Sequence, residues 1–139
     1  MKNFGSTFEY EKQRNDDLMR AYREEIEQCK FIKMPDVFKK VVNRPSQRFW
    51  VSEERAAIVL SAMIKGDTLD NMRPLKREMF FEIYRRAMEL REKNPELSVF
   101  NLAFCVVRQQ APKFYLTPGS AKVIVSKIKR QWYKKRKRK

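Results

Sequence analysis

The chain has 139 residues, 42% of them apolar, and carries 32 Lys or Arg against 17 Asp or Glu, for a formal net charge of +15 with no histidine. That length supports one domain or two intimately packed halves. The lack of histidine excludes a His-based catalytic relay within the chain, and the lack of an 18-residue apolar run excludes a bilayer-spanning helix. With only three glycines to punctuate it, the chain is expected to form long helices rather than hairpins.

Residues 1–8 are expected to be mobile, with Phe4 and Phe8 as candidates for docking on the body. The opening MKNFGSTFEYEKQRNDD is polar, so no apolar leader is expected. A first helix is predicted to begin between Phe8 and Asn15 and to end near Lys30, because Leu18, Tyr22, Ile26 and Cys29 recur at helical spacing. Pro35 and Asp36 open a short helix holding Val37, Phe38, Val41 and Val42, and Pro45 stops it. The loop NRPSQRFWV leads to a helix from Ser52 to about Lys65 with Ala56, Val59, Leu60 and Met63 on its buried face. Ile58 and Ile64 widen that face, which predicts cover on more than one side. Gly66 and Asp67 end the helix.

The linker GDTLDNMRP follows, and then a long helix over Leu75 to Lys93. Met79, Ile83, Ala87 and Leu90 line one face of it, widened by Phe80, Tyr84 and Met88. Glu82 with Arg86, and Arg85 with Glu89, are i,i+4 pairs on its surface. Asn94-Pro95 is read as the cap of a helix from Glu96 to Gln109, with Val99, Phe100, Ala103, Phe104 and Val107 as its apolar set. The last helix starts at Thr117, with Ala121, Ile124, Val125, Ile128 and Trp132 as an apolar stripe. Cys29 and Cys105 both fall on helical stretches and are expected to be buried free thiols in a cytoplasmic setting.

Two of these stretches match each other. Val41–Ile64 and Val106–Lys129 align without a gap at an offset of 65 residues over 24 positions. Arg48-Phe49-Trp50-Val51-Ser52 meets Lys113-Phe114-Tyr115-Leu116-Thr117, and Ala56, Ile58, Val59 and Ser61 meet Ala121, Val123, Ile124 and Ser126. Such matching predicts tandem copies of one helical unit related by internal pseudo-symmetry. The first unit is placed at 1–66 with its N-terminal arm and the second at 67–139 with a basic tail. Ser52 and Thr117 are expected to cap the helices they precede, and Pro118 suits a first helical position. Phe49 and Phe114 are expected to be more buried than Trp50 and Tyr115, since the first aromatic is the same residue in both copies. The fold class is therefore all-α, and each half reads helix, shorter helix, aromatic turn, helix.

The charge is unevenly spread. From Lys122 onward there are ten Lys or Arg and no acid, whereas the other 121 residues carry 22 basic and 17 acidic groups. Two-thirds of the excess thus sits on the last 18 residues, which favours a polyanionic partner. The candidate nucleic-acid-binding residues are Lys113, Lys122, Lys127, Lys129, Arg130, Lys134, Lys135, Arg136, Lys137, Arg138 and Lys139. The block KKRKRK is expected to fray when free through mutual repulsion, and also matches a weak nuclear-localisation pattern. A helix-turn-helix reader in each copy is disfavoured by the long turn from Asn43 to Val51 and by Glu53 and Glu54 at the start of the following helix. The second copy is therefore the better candidate for nucleic-acid contact.

No glycine-rich phosphate loop or cysteine cluster with metal spacing is present. Glu78 and Glu82 are read as surface ion-pair partners of Arg77, Arg85 and Arg86 rather than as metal ligands. The expectation is a non-enzymatic protein with no cofactor and no metal.

The stretches FEYEKQRNDDLMRAYRE, RFWVSEERAAIVLSAMIKG, MRPLKREMFFEIYRRAMELRE and QQAPKFYLTPGSAKVIVSKIKR resemble a small family of basic proteins from Bacteroidetes and their phages or mobile elements. The resemblance spans most of the chain. It implies a bacterial or phage setting and DNA transactions or virion association, and it supplies no catalytic residue. The leading expectation is a DNA-binding protein, regulatory or architectural. The alternatives are a phage structural or virion-packaged protein whose tail meets DNA or an acidic protein surface, and an RNA-binding protein. The expected location is cytoplasmic, or the virion if the chain is phage-encoded.

Overall fold

The computed structural model describes residues 4–137, with side chains described over 10–135. Six α-helices account for most of it: α1 (Phe4–Gln28), α2 (Met34–Val42), α3 (Glu53–Ile64), α4 (Pro74–Lys93), α5 (Val99–Val107) and α6 (Pro118–Lys137). The all-α class is thus observed. α1 begins earlier than its apolar spacing suggested, because the polar stretch before Leu18 carries no hydrophobic period to mark it. The residues proposed to dock, Phe4 and Phe8, lie outside the described side chains.

The helix starts follow from capping chemistry. Ser52 Oγ accepts from the Arg55 N–H at 3.1 Å, and Thr117 Oγ1 accepts from the Ser120 N–H at 3.1 Å. These are equivalent positions of the two copies, and each satisfies a backbone donor that the first helical turn leaves without a partner. At the far end of α3, Gly66 adopts φ +110°, its N–H reaches the Met63 carbonyl, and the Asp67 N–H reaches that of Ala62. This is the left-handed termination that glycine permits at no steric cost. Ser52→Ala is expected to cost about 1 kcal/mol in a denaturant melt; an unchanged midpoint would count against the cap.

α5 departs from its predicted limits. Its cap is Ser98, whose Oγ accepts from the Asn101 N–H at 3.1 Å, while Asn94 closes a turn by accepting from the Leu97 N–H. The buried face is Leu102, Ala103, Val106 and Val107; Phe100 and Phe104 are exposed. The sequence VFNLAFCVV is apolar nearly all round, so periodicity could not select the face. Cys105 is consequently exposed and Cys29 half-buried, and both are free thiols, which corrects the burial expected of them. Ile58 is likewise exposed, so α3 is covered on one face only.

The helices gather into two compact units that do not follow the sequence boundary at 66/67. Unit 1 contains 1–46 and 112–139; unit 2 contains 47–111. In unit 1, α1, α2 and α6 pack on one another. Leu18, Ala21, Val37, Val41, Ala121 and Val125 are its fully buried centre, and the Tyr22 and Phe38 rings stack at 5.6 Å. In unit 2, α3, α4 and α5 pack together around Phe49, Leu60, Ile83, Leu102 and Val106.

Each unit therefore combines helices from both sides of the 66/67 boundary expected from the sequence. The helix-turn-helix pairing considered for each copy is replaced: α3 packs on α4 and α5, and α6 on α1 and α2. The two aromatic turns make corresponding backbone hydrogen bonds. The Phe49 N–H donates to the Val107 carbonyl at 2.9 Å, and the Phe114 N–H donates to the Val42 carbonyl at 3.0 Å. Phe49 is fully buried and Trp50 half-buried; Phe114 is 4% exposed and Tyr115 9%, so the expected order holds in both turns. Tyr115 sits at φ +57°, a left-handed conformation uncommon for a bulky residue.

Candidate nucleic-acid interface

α6 is held in unit 1 by a narrow apolar edge. Ala121 and Val125 are buried, Ile124 and Ile128 are half-buried, and Trp132 is 41% exposed with the Arg23 guanidinium 5.4 Å from its ring. Trp132 thus covers the helix edge rather than entering the core, as a large ring does near the last turn of a helix that outruns its partners. At about 100° per residue, Lys127, Arg130 and Lys134 fall within roughly 40° of the direction opposite Val125. All three are exposed, and along the axis they span about 10 Å. Lys122 and Lys135 are also exposed, about 120° and 100° round the helix from that direction.

None of these five cations makes an ion pair among the described residues. Long unbranched Lys and Arg side chains favour the helical state, and α6 continues through Lys134 and Lys135 to Lys137 rather than ending where the block begins. The side chains of Arg136 and Lys137, and all of Arg138 and Lys139, lie outside the described residues.

Two predicted site residues are otherwise engaged. Lys129 Nζ donates to Tyr22 Oη at 2.8 Å and lies 4.5 Å from that ring, which fixes α6 on α1. Lys113 is half-buried with its ammonium 5.5 Å from the Tyr115 ring, and its carbonyl accepts from Ser46 Oγ at 3.2 Å.

Other arginines of unit 1 are neutralised locally. Arg20 reaches Asp17 at 2.7 Å, Glu24 at 2.8 Å and the Pro45 carbonyl at 3.0 Å. Arg44 reaches Glu25 at 3.0 Å, Glu24 at 3.3 Å and Gln28 at 2.7 Å. Asp17 and Glu25 are buried, so this network ties α1 to the α2 terminus and is unavailable to a ligand. Partial burial and the hydrogen bond to Glu25 push the Cys29 thiol above its ordinary range, which keeps it protonated.

Once the units are known, the charge divides further than the sequence alone implied. Unit 1 holds 21 Lys or Arg against 8 Asp or Glu, a net of +13, and unit 2 holds 11 against 9, a net of +2. Lys30, Lys33, Lys39 and Lys40 are exposed on unit 1 and were missed as site candidates. In sequence they are diluted by Glu24, Glu25, Glu27 and Asp36; the fold turns Glu24 and Glu25 to Arg20 and Arg44, while Glu27 stays on α1 and Asp36 lies in the first turn of α2.

Unit 2 offers no comparable cationic surface. Glu53 at the start of α3 lies 3.5 Å from Arg48 and 3.7 Å from Arg108. Glu82 pairs with Arg85 at 2.6 Å and Arg86 at 2.7 Å. The Arg85 hydrogen bond, with Arg86 adding to it, holds the Glu82 carboxyl below its usual range against a partial desolvation cost. The surface ion pairing read from sequence for Glu82 is therefore observed. Among the described residues, no group of three or more His, Cys, Asp or Glu is placed to hold a metal, and no helix is long and apolar enough to cross a membrane.

No protein-family model, curated protein or solved structure matches the chain.

Proposed function

We propose that this is a non-enzymatic DNA-binding protein, regulatory or architectural, that holds the phosphate backbone through α6 and the basic residues that follow it. The observation that carries this reading is the concentration of +13 on unit 1, together with an outward stripe of cations that have no ion-pair partner among the described residues. Phosphate contacts of this kind release condensed counterions, which makes them strong at low salt. They fix register without reading bases, so little sequence discrimination is expected from α6. A bacterial or phage setting, with a cytoplasmic or virion location, belongs to the same proposal.

The stripe is tested by replacing Lys127, Arg130 and Lys134 with glutamine together. All three are exposed, so folding should be unaffected. Each lost phosphate contact lowers the slope of log affinity against log salt by about 0.9 for duplex DNA, so the triple variant should lose roughly 3 from the slope. An unchanged slope removes the stripe from the interface. Discrete footprints on the duplex select a regulator, and diffuse, length-dependent protection selects an architectural or packaging role. Tight binding to matched RNA with weak duplex binding replaces DNA by RNA, and binding to neither at low salt moves the partner to an acidic protein surface.

A further inference from the structure

The connection between α1 and α2, from Cys29 to Lys33, presents its two large apolar side chains to solvent. Phe31 is 84% exposed and Ile32 57%. Lys30 and Lys33 flank them and are exposed, Met34 follows at 37% exposure, and the charges of Lys40 and Arg44 act on the adjoining Cys29 thiol. Single apolar residues on a surface need no explanation. An adjacent phenylalanine and isoleucine, bracketed by lysines on the unit that carries the +13, form a mixed cationic and apolar tip.

Comparison of the copies shows that the turn does not require this chemistry. At the 65-residue offset Phe31, Ile32 and Lys33 become Glu96, Leu97 and Ser98. In the second copy Leu97 is half-buried and Ser98 caps α5 through its hydroxyl. In the first copy Lys33 occupies the cap position of α2 and makes no side-chain cap bond. The first copy thus lacks the local stabilisation that the second has and exposes apolar groups at the same place.

We propose that Phe31 and Ile32 form a wedge that enters a base step of duplex DNA, with Lys30 and Lys33 taking the phosphates on either side. The inference rests on the DNA-binding reading above. Apolar side chains that partially unstack a base step bend the duplex, and the cost is offset by stacking, by burial of the wedge and by the additional backbone brought within reach of cations. The aromatic ring supplies the stacking face, the isoleucine fills the opened step, and α6 supplies further phosphate contacts.

The test uses the full chain, a Phe31→Ala/Ile32→Ala double variant, a duplex labelled at both ends for energy transfer, and a second duplex carrying 2-aminopurine. The parent should shorten the end-to-end distance and raise the 2-aminopurine fluorescence. The double variant should keep its helical circular dichroism and its salt slope, lose both optical changes, and bind about tenfold more weakly, as loss of a stacked base predicts. Phe31→Trp/Ile32→Val should restore the bend. Parent-like signals from the double variant, or binding by the parent with neither signal, overturn the wedge while leaving the phosphate reading intact. Failure of the parent to bind duplex at low salt removes the DNA reading and the wedge with it. If the double substitution abolishes binding to phosphatidylserine–phosphatidylcholine vesicles and leaves the duplex signals unchanged, the tip contacts a lipid surface and the wedge is rejected.

Discussion

Replacing Phe49 with alanine is expected to lower the stability of the protein by about 3–5 kcal/mol. Phe49 is the largest fully buried side chain, its backbone N–H donates to the Val107 carbonyl at 2.9 Å, and the Arg86 guanidinium lies 5.0 Å from its ring. Truncation removes the transfer free energy of the ring and leaves a void in a close-packed core. Arg86 also loses the apolar face on which its planar group rests, although its bonds to Glu82 at 2.7 Å and to the Gln110 carbonyl at 2.8 Å remain. Phe114→Ala should act similarly in unit 1, where the ring is 4% exposed and the backbone is bonded to Val42. Trp50→Ala should be milder, because that ring is half-buried with Arg48 at 5.4 Å. Urea unfolding followed by circular dichroism measures all three; a change of less than about 1 kcal/mol for Phe49→Ala would remove the first aromatic from the core.

The stretch 47–51 places Phe49 in unit 2, and the stretch 112–117 returns the chain to unit 1 to start α6. Thr117 caps that helix and the Phe114 N–H anchors the turn to the end of α2. Lys129, bonded to Tyr22, then sets the rotation of α6 that leaves Lys127, Arg130 and Lys134 outward.

Much of this was legible in the sequence, for identifiable reasons. α3 and α4 carry their buried residues at helical spacing, and Ala56, Val59, Leu60 and Met63 were all read correctly as the buried face of α3. The caps at Ser52 and Thr117 are side-chain chemistry that the sequence states directly. The cations of α6 stand out because no acid interrupts them. The face of α5 was not legible, since Phe100 and Phe104 are as apolar as Leu102 and Val106 and only packing distinguishes them. The grouping of α3 with α4 and α5, and of α6 with α1 and α2, was not legible either. The sequence match at the 65-residue offset marks similar apolar faces but does not say which helix each face packs against. Phe31 and Ile32 escaped notice because a five-residue connection has no period to analyse; only their exposure reveals them.

The salt dependence of binding carries the second large effect. If about six of the cations from Lys122 onward reach phosphate oxygens, log affinity against log salt should fall with a slope near −5 on duplex DNA. Raising salt from about 50 to 200 mM should then weaken binding roughly 10³-fold. Engaged groups such as Arg20 and Arg44 add little, because Asp17, Glu24 and Glu25 already neutralise them. The measurement that tests the central claim most directly is this titration on the full chain and on a truncation that ends at Tyr133, with circular dichroism as the folding control. The truncation keeps Trp132 and its contact with Arg23. Removal of Lys134 through Lys139 should flatten the slope and weaken low-salt binding while the helical signal persists. An unchanged affinity and slope with an intact fold would contradict the assignment of this segment as the phosphate contact.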